Sequence, residues 1–424
     1  MRINVPQGAE QEMALASSAP ISTVRTNVGR TNARGTSGQV ALDSYSERFR
    51  RSVDRLMASP VFYRFSVNNI FTRWFAKYRT QQVFDLMTGF VNFQVLLTCV
   101  RYGILERLYE NPCNYEELIQ HIQLPKDNLD RLVLSALSLG LIERRSHNRF
   151  GIGPLGLPVI SYPGISAMVE HNAVLYADML DTAKLLQSGK ASQMNEYWPY
   201  AKYAVQGDIN SSAVVAPQNA VESDKAKQFA KYSDLMSNSQ NFVIDEITSV
   251  YDFSKHTKML DIGCGKGRFV STVAQMYPEL EFAAMDLPEV IALTRQNLLD
   301  QPFYKRINLV AGSFKLDPLP STVDLVTLVR VAHDHSDEVV QMLLKKIHHA
   351  LPPKGTLLLA EPMASAKGAK HDPYFHFYLL AMGEGRLRTP EQLTQMMLEA
   401  GFIRIEVLSN PMSMHAKVLI ARRY

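Results

Sequence analysis

A glycine-rich turn that directly follows an apolar strand constrains this chain more than any other feature. The strand ends in Asp261, and the chain then passes through Gly263, Gly265 and Gly267 into a helical segment. Residues without a Cβ atom allow a tight turn and let a bound nucleotide approach the backbone closely. The spacing differs from the G-x-G-x-x-G of dinucleotide-binding folds, and the Lys-Ser/Thr pair of a phosphate-binding loop is missing.

A second acid follows at the spacing of a ribose-binding carboxylate. Asp286 ends the next apolar strand, 25 residues after Asp261, and Rossmann-type sites place an acid there to hold two ribose hydroxyls. Further apolar strands alternate with helical segments, which predicts a mostly parallel sheet buried on both faces. Such sheets bind ligands at the carboxyl ends of their strands, where Phe314, His333 and Glu361 also fall. Together these features predict S-adenosylmethionine (SAM) as the cofactor.

Composition limits the remaining possibilities. A chain of 424 residues, 46% of them hydrophobic, suits two or more domains with sizeable cores. A net charge of +4 excludes a nucleic-acid-binding polycation. The three cysteines form neither a disulfide framework nor a metal pattern, which predicts a cytoplasmic protein. We expect no membrane-spanning helix, because no apolar run reaches about 18 residues without a charge. Residues 1–42 lack the apolar stretch of a secretory signal and are predicted to be disordered.

The part of the chain before the glycine turn reads as a second domain. The segment Phe84–Leu105 is apolar nearly all round, which predicts a helix buried in the protein, against a second subunit or within the chain. Residues 114–122 and 125–141 then read as two helices, and residues 142–152 as a hairpin wing. The pattern predicts a winged-helix domain.

A winged helix can bind DNA, but its charges argue against that here. The would-be recognition helix carries Asp127 and Asp130 beside Lys126 and Arg131. It therefore offers no net positive face to phosphates. We predict a dimerisation domain and no nucleic-acid partner.

Basic and aromatic residues are concentrated between Arg48 and Arg79, where Asp54 is the one acidic residue. The interleaved apolar residues are Phe62, Phe65, Ile70, Phe71, Trp74 and Phe75. This pattern suits contact with a membrane surface or a lipid-like substrate. A helix pair packed on a dimer partner, with its arginines in solvent, explains the same residues, and the two interpretations are compatible.

Taken as a whole, the chain resembles the small-molecule SAM-dependent O-methyltransferases of the acetylserotonin and plant caffeate type. The shared features are the winged helix, the D-x-G-x-G-x-G turn and the His-Asp pair after the fourth strand. Within that family it is similar to the hydroxycarotenoid O-methyltransferases of purple phototrophic bacteria. The segments that carry this similarity are residues 84–91, 94–101, 328–335 and 374–382.

The resemblance, which covers residues 46–424, implies an α/β fold with two main domains. Residues 43–160 would form the helical winged-helix dimerisation domain, and residues 241–424 the Rossmann-like SAM-binding domain. Residues 161–240 would form a helical linker that lines the acceptor site, with a disordered extension over residues 1–42. The family also implies a homodimer.

The resemblance implies a role for each site residue. Those that bind the cofactor would be Asp261, Gly263, Gly265, Gly267, Asp286, Leu287, Ser313, Phe314 and Gln240. Ser313 stands where many relatives have Asp. His333 would be the general base, with Asp334 beside it and Glu361 orienting it. Leu387 replaces a second orienting Glu, and His335 replaces a Trp.

Fewer residues of the sequence point to the acceptor site than to the cofactor site. Met236 would contact the substrate, and His171 and Asp178 project from an otherwise apolar helix predicted to line the acceptor site. A plain core role explains each of them equally well. His333, His335 and Glu361 could in principle ligate a metal, but the spaced acids of metal-dependent methyltransferases are missing, so we expect none.

These observations predict a SAM-dependent O-methyltransferase of an apolar small molecule, with a hydroxycarotenoid favoured as acceptor. Aromatic, polyketide or bacteriochlorophyll-type acceptors, methylated on oxygen or carbon, are the alternative. A second alternative is a SAM-binding or DNA-binding regulator without catalysis, and a third is an enzyme that uses SAM as an electrostatic aid to another reaction. His333 and Glu361 favour an enzyme, because a regulator need not keep them. We expect a cytoplasmic location with peripheral contact to the photosynthetic membrane.

Overall fold

The computed structural model describes residues 45–188, 192–197, 240–241, 243–365, 367–409 and 416–424. The chain divides into two compact units after Leu86. The described part of the first unit holds helices α1 (Tyr45–Met57), α2 (Pro60–Asn68) and the beginning of α3 (Arg73–Arg101). Ser59 caps α2 by accepting a hydrogen bond from the backbone of Phe62. The predicted disordered extension, residues 1–42, lies outside the described residues.

Helix α3 differs from the sequence prediction in its bounds and in its burial. It begins before Phe84 and ends at Arg101, because Gly103 adopts a left-handed conformation (φ 61°) before α4 (Ile104–Glu110) begins. Within one chain only Leu97 and Cys99 of α3 are buried. Burial of the whole helix is therefore wrong for a single chain, and burial against a second chain stays a prediction.

Helix α3 is also the one described helix that is long and apolar enough to cross a membrane by length and composition. The sequence prediction of no spanning helix did not anticipate this. Its C-terminal end packs in a protein core, since Cys99 is fully buried in the cluster that also holds Leu105 and Leu118. Arg101 forms an ion pair with Glu170. A core helix of a folded domain meets the same test of length and composition.

The winged helix predicted from sequence is present. It consists of α5 (Tyr115–Ile122), α6 (Lys126–Ser138) and a hairpin of β1 (Ile142–Arg145) and β2 (Arg149–Ile152). Asn114 and Glu117 form a reciprocal capping box that fixes the start of α5. The hairpin pairs Ile142 with Ile152, and both lie buried in the core of this domain.

Four helices connect the winged helix to the C-terminal domain: α7 (Leu157–Ser161), α8 (Pro163–Met179), α9 (Thr182–Ser188) and α10 (Gln193–Tyr197). Of these, α8, α9 and α10 pack against α14 (Asp372–Met382), a helix of the C-terminal domain. Leu175, Leu185 and Met194 share a buried cluster with Leu379 and Met382. The linker is thus held on the C-terminal domain by apolar burial.

The C-terminal domain contains a seven-stranded sheet in the order β5-β4-β3-β6-β7-β9-β8. The strands are β3 (Lys258–Ile262), β4 (Glu281–Asp286), β5 (Ile307–Ala311), β6 (Leu325–Val329), β7 (Thr356–Glu361), β8 (Ile403–Leu408) and β9 (Lys417–Arg422). Strands β3 to β7 are parallel, and β9 runs antiparallel to both of its neighbours. The predicted parallel sheet with a terminal hairpin is confirmed.

Helices cover both faces of this sheet. They are α11 (Arg268–Met276), α12 (Pro288–Leu298), α13 (Asp337–Ala350) and α15 (Pro390–Glu399). Strands β6 and β7 are buried at every residue, which explains their near-continuous apolar sequences. The carboxyl ends of β3, β4, β6 and β7 meet along one edge, and the chain places polar side chains there.

Candidate active site

The glycine turn after β3 has the backbone conformation that its sequence predicts. Gly263, Gly265 and Gly267 have φ angles of 73°, 55° and 75°, a region that side chains with a Cβ rarely adopt. A Cβ at Gly263 would lie 2.7 Å from Val331, and one at Gly267 would lie 2.8 Å from Leu298. A Cβ at Gly265 would meet nothing within 4 Å. Gly265 therefore faces open space, while the other two glycines are required by packing.

Asp286, at the end of β4, holds this turn in place. Its Oδ2 accepts from the backbone of Gly265 and its Oδ1 accepts from the backbone of Leu287, both at 2.8 Å. Burial raises the pKa of Asp286 to about 6, against the two backbone hydrogen bonds that lower it. Each oxygen keeps further acceptor capacity. The side chain can thus accept hydrogen bonds from two neighbouring hydroxyls of a ligand.

Asp261 lies under the turn. Thr327 of β6 donates a 2.7 Å hydrogen bond to its Oδ1, and burial raises the pKa of Asp261 to about 7. Thr294 of α12 donates to the carbonyl of Gly265 at 2.6 Å. The turn is therefore fixed from β4 and α12, and the strand end that leads into it is fixed from β6.

The segment after β5 supplies one aromatic wall. The ring of Phe314 meets the ring of His335 edge to face, with centroids 5.2 Å apart. Ser313 lies next to it, and its hydroxyl accepts from the backbone of Lys315. Burial lowers the pKa of His335 to about 3, helped by the charge of Lys315. His335 is thus a neutral ring beside Phe314, which makes it part of this wall.

His333 lies in the short 3-10 turn that follows β6, and Glu361 at the end of β7 holds it. His333 Nδ1 donates to Glu361 Oε2 at 2.9 Å, and the backbones of Ala332 and His333 both donate to the same carboxylate at 2.6 Å. A carboxylate that accepts three hydrogen bonds places the ring proton on Nδ1. The pairing of His333 with Glu361 expected from sequence is therefore present in the structure.

Asp334 lies on the other side of the ring, with Oδ1 3.2 Å from His333 Nε2. Burial lowers the pKa of His333, but the charges of Asp334 and Glu361 outweigh it, and the pKa is raised overall. Burial also raises the pKa of Asp334. Neutral His333 can accept a proton at Nε2, and the two carboxylates would stabilise the imidazolium that forms.

Two arginines of this site were missed by the sequence analysis. Buried Arg388 donates to the carbonyls of Ala332 and His335 at 2.9 and 2.7 Å and forms an ion pair with Asp337. It thereby clamps the turn that carries His333. Arg330 has a φ of 57°, and its charge lowers the pKa of both His171 and His333. In the sequence the segment around Arg388 is marked only by Leu387, which stands where relatives have an orienting Glu. Leu387 is buried in the cluster of α14.

The linker and α14 contribute a polar cluster on the same side. His171 Nε2 and the hydroxyl of Tyr378 are 3.0 Å apart, and Tyr374 donates to Asn172 at 3.0 Å. Burial lowers the pKa of His171 to about 4, so the ring is neutral at physiological pH. Helix α14 also packs on the turn that holds His333. This places His171 and the two tyrosines in the neighbourhood of the His333 turn.

The remaining predicted residues have different surroundings. Asp178 accepts from the backbones of Gln193 and Met194 at 2.7 and 2.9 Å, so its carboxylate caps the start of α10. Gln240 is next to Asn241, which accepts from Arg268 at the start of α11, and so lies near the glycine turn. Met236 lies outside the described residues. No group of three His, Cys, Asp or Glu side chains with metal-binding geometry occurs among the residues that the structure describes.

Comparison with known proteins identifies the family of this chain. An O-methyltransferase domain model matches residues 202–403. The demethylspheroidene O-methyltransferase of Rhodobacter capsulatus is 36% identical over 329 residues, which are 77% of each chain. The enzyme of the same name from Cereibacter sphaeroides is 31% identical over 83% of this chain and 89% of its own.

A solved structure shows the same fold. Human N-acetylserotonin methyltransferase in complex with SAM aligns with a TM-score of 0.65 and 21% identity, over 81% of this chain and 97% of its own. The glycine turn, the acid at Asp286 and the paired His333 and Glu361 are therefore found in a chain whose relatives are named methyltransferases. This chain belongs to the O-methyltransferase family, and it is a SAM-dependent O-methyltransferase that acts on a small molecule.

Proposed function

We propose that this enzyme methylates the hydroxyl of a hydroxycarotenoid of the demethylspheroidene type, with His333 as general base. The observation that carries the catalytic part is the buried His333–Glu361 pair at the sheet edge that also holds the glycine turn. The two relatives at 36% and 31% identity carry the acceptor class. An aromatic or tetrapyrrole acceptor is the alternative, since the same fold serves other small molecules.

The protein's main task in this reaction is positioning. When bound, SAM would supply an activated methyl group on a positively charged sulfur, and the protein would hold the acceptor oxygen in line with that carbon–sulfur bond. Asp286, Leu287 and Phe314 would hold the cofactor, with the open side of Gly265 against it. An oriented reaction gains several orders of magnitude in rate from fixed geometry alone.

His333 would take the proton that the attacking hydroxyl loses. Nδ1 is occupied by Glu361, so Nε2, which lies 3.2 Å from Asp334 Oδ1, is the nitrogen that would receive the proton. The charge that develops on the ring is stabilised by Glu361 on one side and by Asp334 on the other. Because Glu361 is buried with the ring and the Asp334 side chain is only 17% exposed, water competes little for these interactions. Arg388 keeps the turn in this geometry.

The acceptor side suits a long apolar molecule with one polar end. Tyr374, Phe375, Tyr378 and Leu379 of α14 belong to an apolar cluster, and neutral His171 adds a polar group without a charge. We place the acceptor hydroxyl near His333 and the hydrocarbon along α14. We also propose that the enzyme is a homodimer, because α3 exposes large apolar side chains such as Leu86, Met87 and Phe90. It would work in the cytoplasm, peripheral to the membrane that dissolves such an acceptor.

The acceptor class is tested by incubating the protein with radiolabelled SAM and separate hydroxycarotenoid, flavonoid and chlorophyllide acceptors in detergent. We expect label to enter the hydroxycarotenoid as a methyl ether, because both demethylspheroidene O-methyltransferase relatives support that acceptor class. Label that enters only the flavonoid or the chlorophyllide would remove the carotenoid assignment and leave the O-methyltransferase activity. The His333→Ala variant is the control, because it shows how much label reaches the acceptor without catalysis at the active site.

The place of the cofactor is tested by a matched pair of glycine variants. Gly265→Ala and Gly267→Ala introduce the same methyl group at similar positive φ, but only Gly267 has buried neighbours in its path. We expect Gly265→Ala to lower SAM affinity by at least about tenfold, or about 1.4 kcal/mol. Gly267→Ala should lose about 1–3 kcal/mol more stability than Gly265→Ala through overpacking. Calorimetry and thermal unfolding measure the two effects, and unchanged SAM affinity in Gly265→Ala would contradict the assignment.

A further inference from the structure

Helix α1 carries a complete apolar stripe that nothing in its own compact unit covers. Tyr45, Phe49, Val53, Leu56 and Met57 recur at helical spacing and fall on one face. Each of them is exposed, and no residue of this helix is buried. We call these five residues the α1 stripe. A helix of this kind requires something apolar to lie against, because exposed side chains of this size cost free energy in water.

The opposite face of α1 is basic. Arg48, Arg51 and Arg55 lie on it, and Arg50 flanks the stripe. Over residues 45–86 the chain has eight basic residues and three acidic ones. A solvent-exposed ion pair 3.9 Å long joins Arg51 to Glu47. This excess of positive charge over residues 45–86 favours a negatively charged partner.

The neighbouring elements repeat this combination of exposed rings and basic residues. Phe65 of α2, Phe71 of the following turn and Trp74 of α3 are exposed by more than half. Arg64, Arg73 and Lys77 lie among them. Aromatic rings beside basic side chains are typical of segments that lie in the headgroup region of a bilayer. The cores of protein interfaces, by contrast, are depleted in charged residues.

We propose that α1 is an interfacial helix that lies on an anionic lipid bilayer, with the α1 stripe in the acyl boundary and its arginines on the headgroups. The exposed apolar area of α1 fits the acyl boundary of such a bilayer, and the positive charge of this segment fits its anionic headgroups. Binding through α1 would bring the enzyme to the membrane that dissolves its acceptor, and this role rests on the proposed function. Lipid binding itself does not depend on which acceptor is methylated.

The test is flotation of the full-length protein with two kinds of vesicle. One contains phosphatidylcholine alone, and the other contains equal parts of phosphatidylcholine and phosphatidylglycerol. We expect binding to the anionic vesicles that weakens as salt is added, and much less binding to the neutral ones. Each basic residue near an anionic surface contributes about fivefold in affinity, so Arg51→Glu with Arg55→Glu should weaken binding by at least about tenfold.

Matched variants separate the α1 stripe from a general effect of surface change. Phe49→Ser with Leu56→Ser removes part of the stripe, and Leu299→Ser is the control, because Leu56 and Leu299 are both 56% exposed. The stripe variant should lose about tenfold in vesicle affinity at low salt, and the control should bind as the wild type does. Arg131→Glu, at an exposed position of α6, is the control for the charge reversals.

Light scattering and an activity assay decide between the remaining outcomes. Absence of wild-type binding to anionic vesicles overturns the proposal, as does equal loss in stripe and control variants. If the stripe variant becomes monomeric while the wild type ignores lipid, a second copy of the chain covers the stripe. Activity on detergent-solubilised hydroxycarotenoid is measured in parallel. Absence of this activity in the wild type counts against the proposed acceptor, whereas vesicle binding counts only for or against the lipid surface.

Discussion

His333→Ala lowers the rate of methyl transfer by about 10²–10⁴-fold, which is the usual contribution of general base catalysis, while SAM still binds. The ring is buried and carries no hydrogen bond to the glycine turn or to Asp286, so its removal leaves the cofactor side unchanged. For an aliphatic alcohol we expect the smaller end of that range. Such a hydroxyl becomes acidic only after the methyl group is partly transferred, and positioning then supplies the larger share of the rate.

Single-turnover rates measure the chemical step, and calorimetry measures SAM affinity in the same variant. Asp337→Asn is a suitable companion, because it disturbs the ion pair of Arg388 without touching the ring. We expect it to lower the rate by less than His333→Ala does. If His333→Ala methylates at the wild-type rate, the base is elsewhere, and the buried pair with Glu361 has only a structural role.

If His333 is the general base, the rate of methyl transfer should also depend on pH. A general base acts in its deprotonated form, so the rate rises as pH increases through the pKa of His333. That pKa is raised by Asp334 and Glu361 against the effect of burial, so the rise should lie above the ordinary histidine range. Glu361→Gln removes one of the two charges that raise it. The acid limb of the profile should then move to lower pH, even though the maximal rate falls.

Much of the fold could be predicted because it follows from local patterns. The inner parallel strands β3, β4, β6 and β7 are buried on both faces. Their apolar runs end at the residues that the structure places on one edge of the sheet. The glycine turn was predictable because positive φ angles at three alternate residues favour glycine at each of them. The capping box at Asn114 and the hairpin wing are short-range signals of the same kind.

Other features depend on distant parts of the chain and could not be predicted. Arg388 clamps the His333 turn from 53 to 56 residues away along the sequence, and no local pattern marks that contact. For Asp178 the sequence left open a place at the acceptor site or a plain structural role, and the structure shows that its carboxylate caps α10. The exposure of α3 is a third example. An all-round apolar helix requires burial, but the sequence does not say whether its own chain or another molecule supplies it.

Asp286→Ala weakens SAM binding by about 10²–10⁴-fold. Hydrogen bonds to a charged group are each worth about 1.5–3 kcal/mol, and this carboxylate would accept two from the ribose. It also accepts from the backbones of Gly265 and Leu287, so the variant would loosen the turn as well. Thr294→Val separates the two effects, since Thr294 anchors the carbonyl of Gly265 from α12, away from the ribose contact.

The outcome of that comparison by calorimetry decides what Asp286 does. We expect Thr294→Val to lose at most about tenfold in SAM affinity, which corresponds to one ordinary hydrogen bond. Equal losses in the two variants would mean that the carboxylate only fixes the turn. Burial raises the pKa of Asp286 to about 6, and only the ionised form accepts at both oxygens. Wild-type affinity for SAM should therefore fall as pH decreases through about 6, and this fall should be absent from Asp286→Ala because the titrating group is gone.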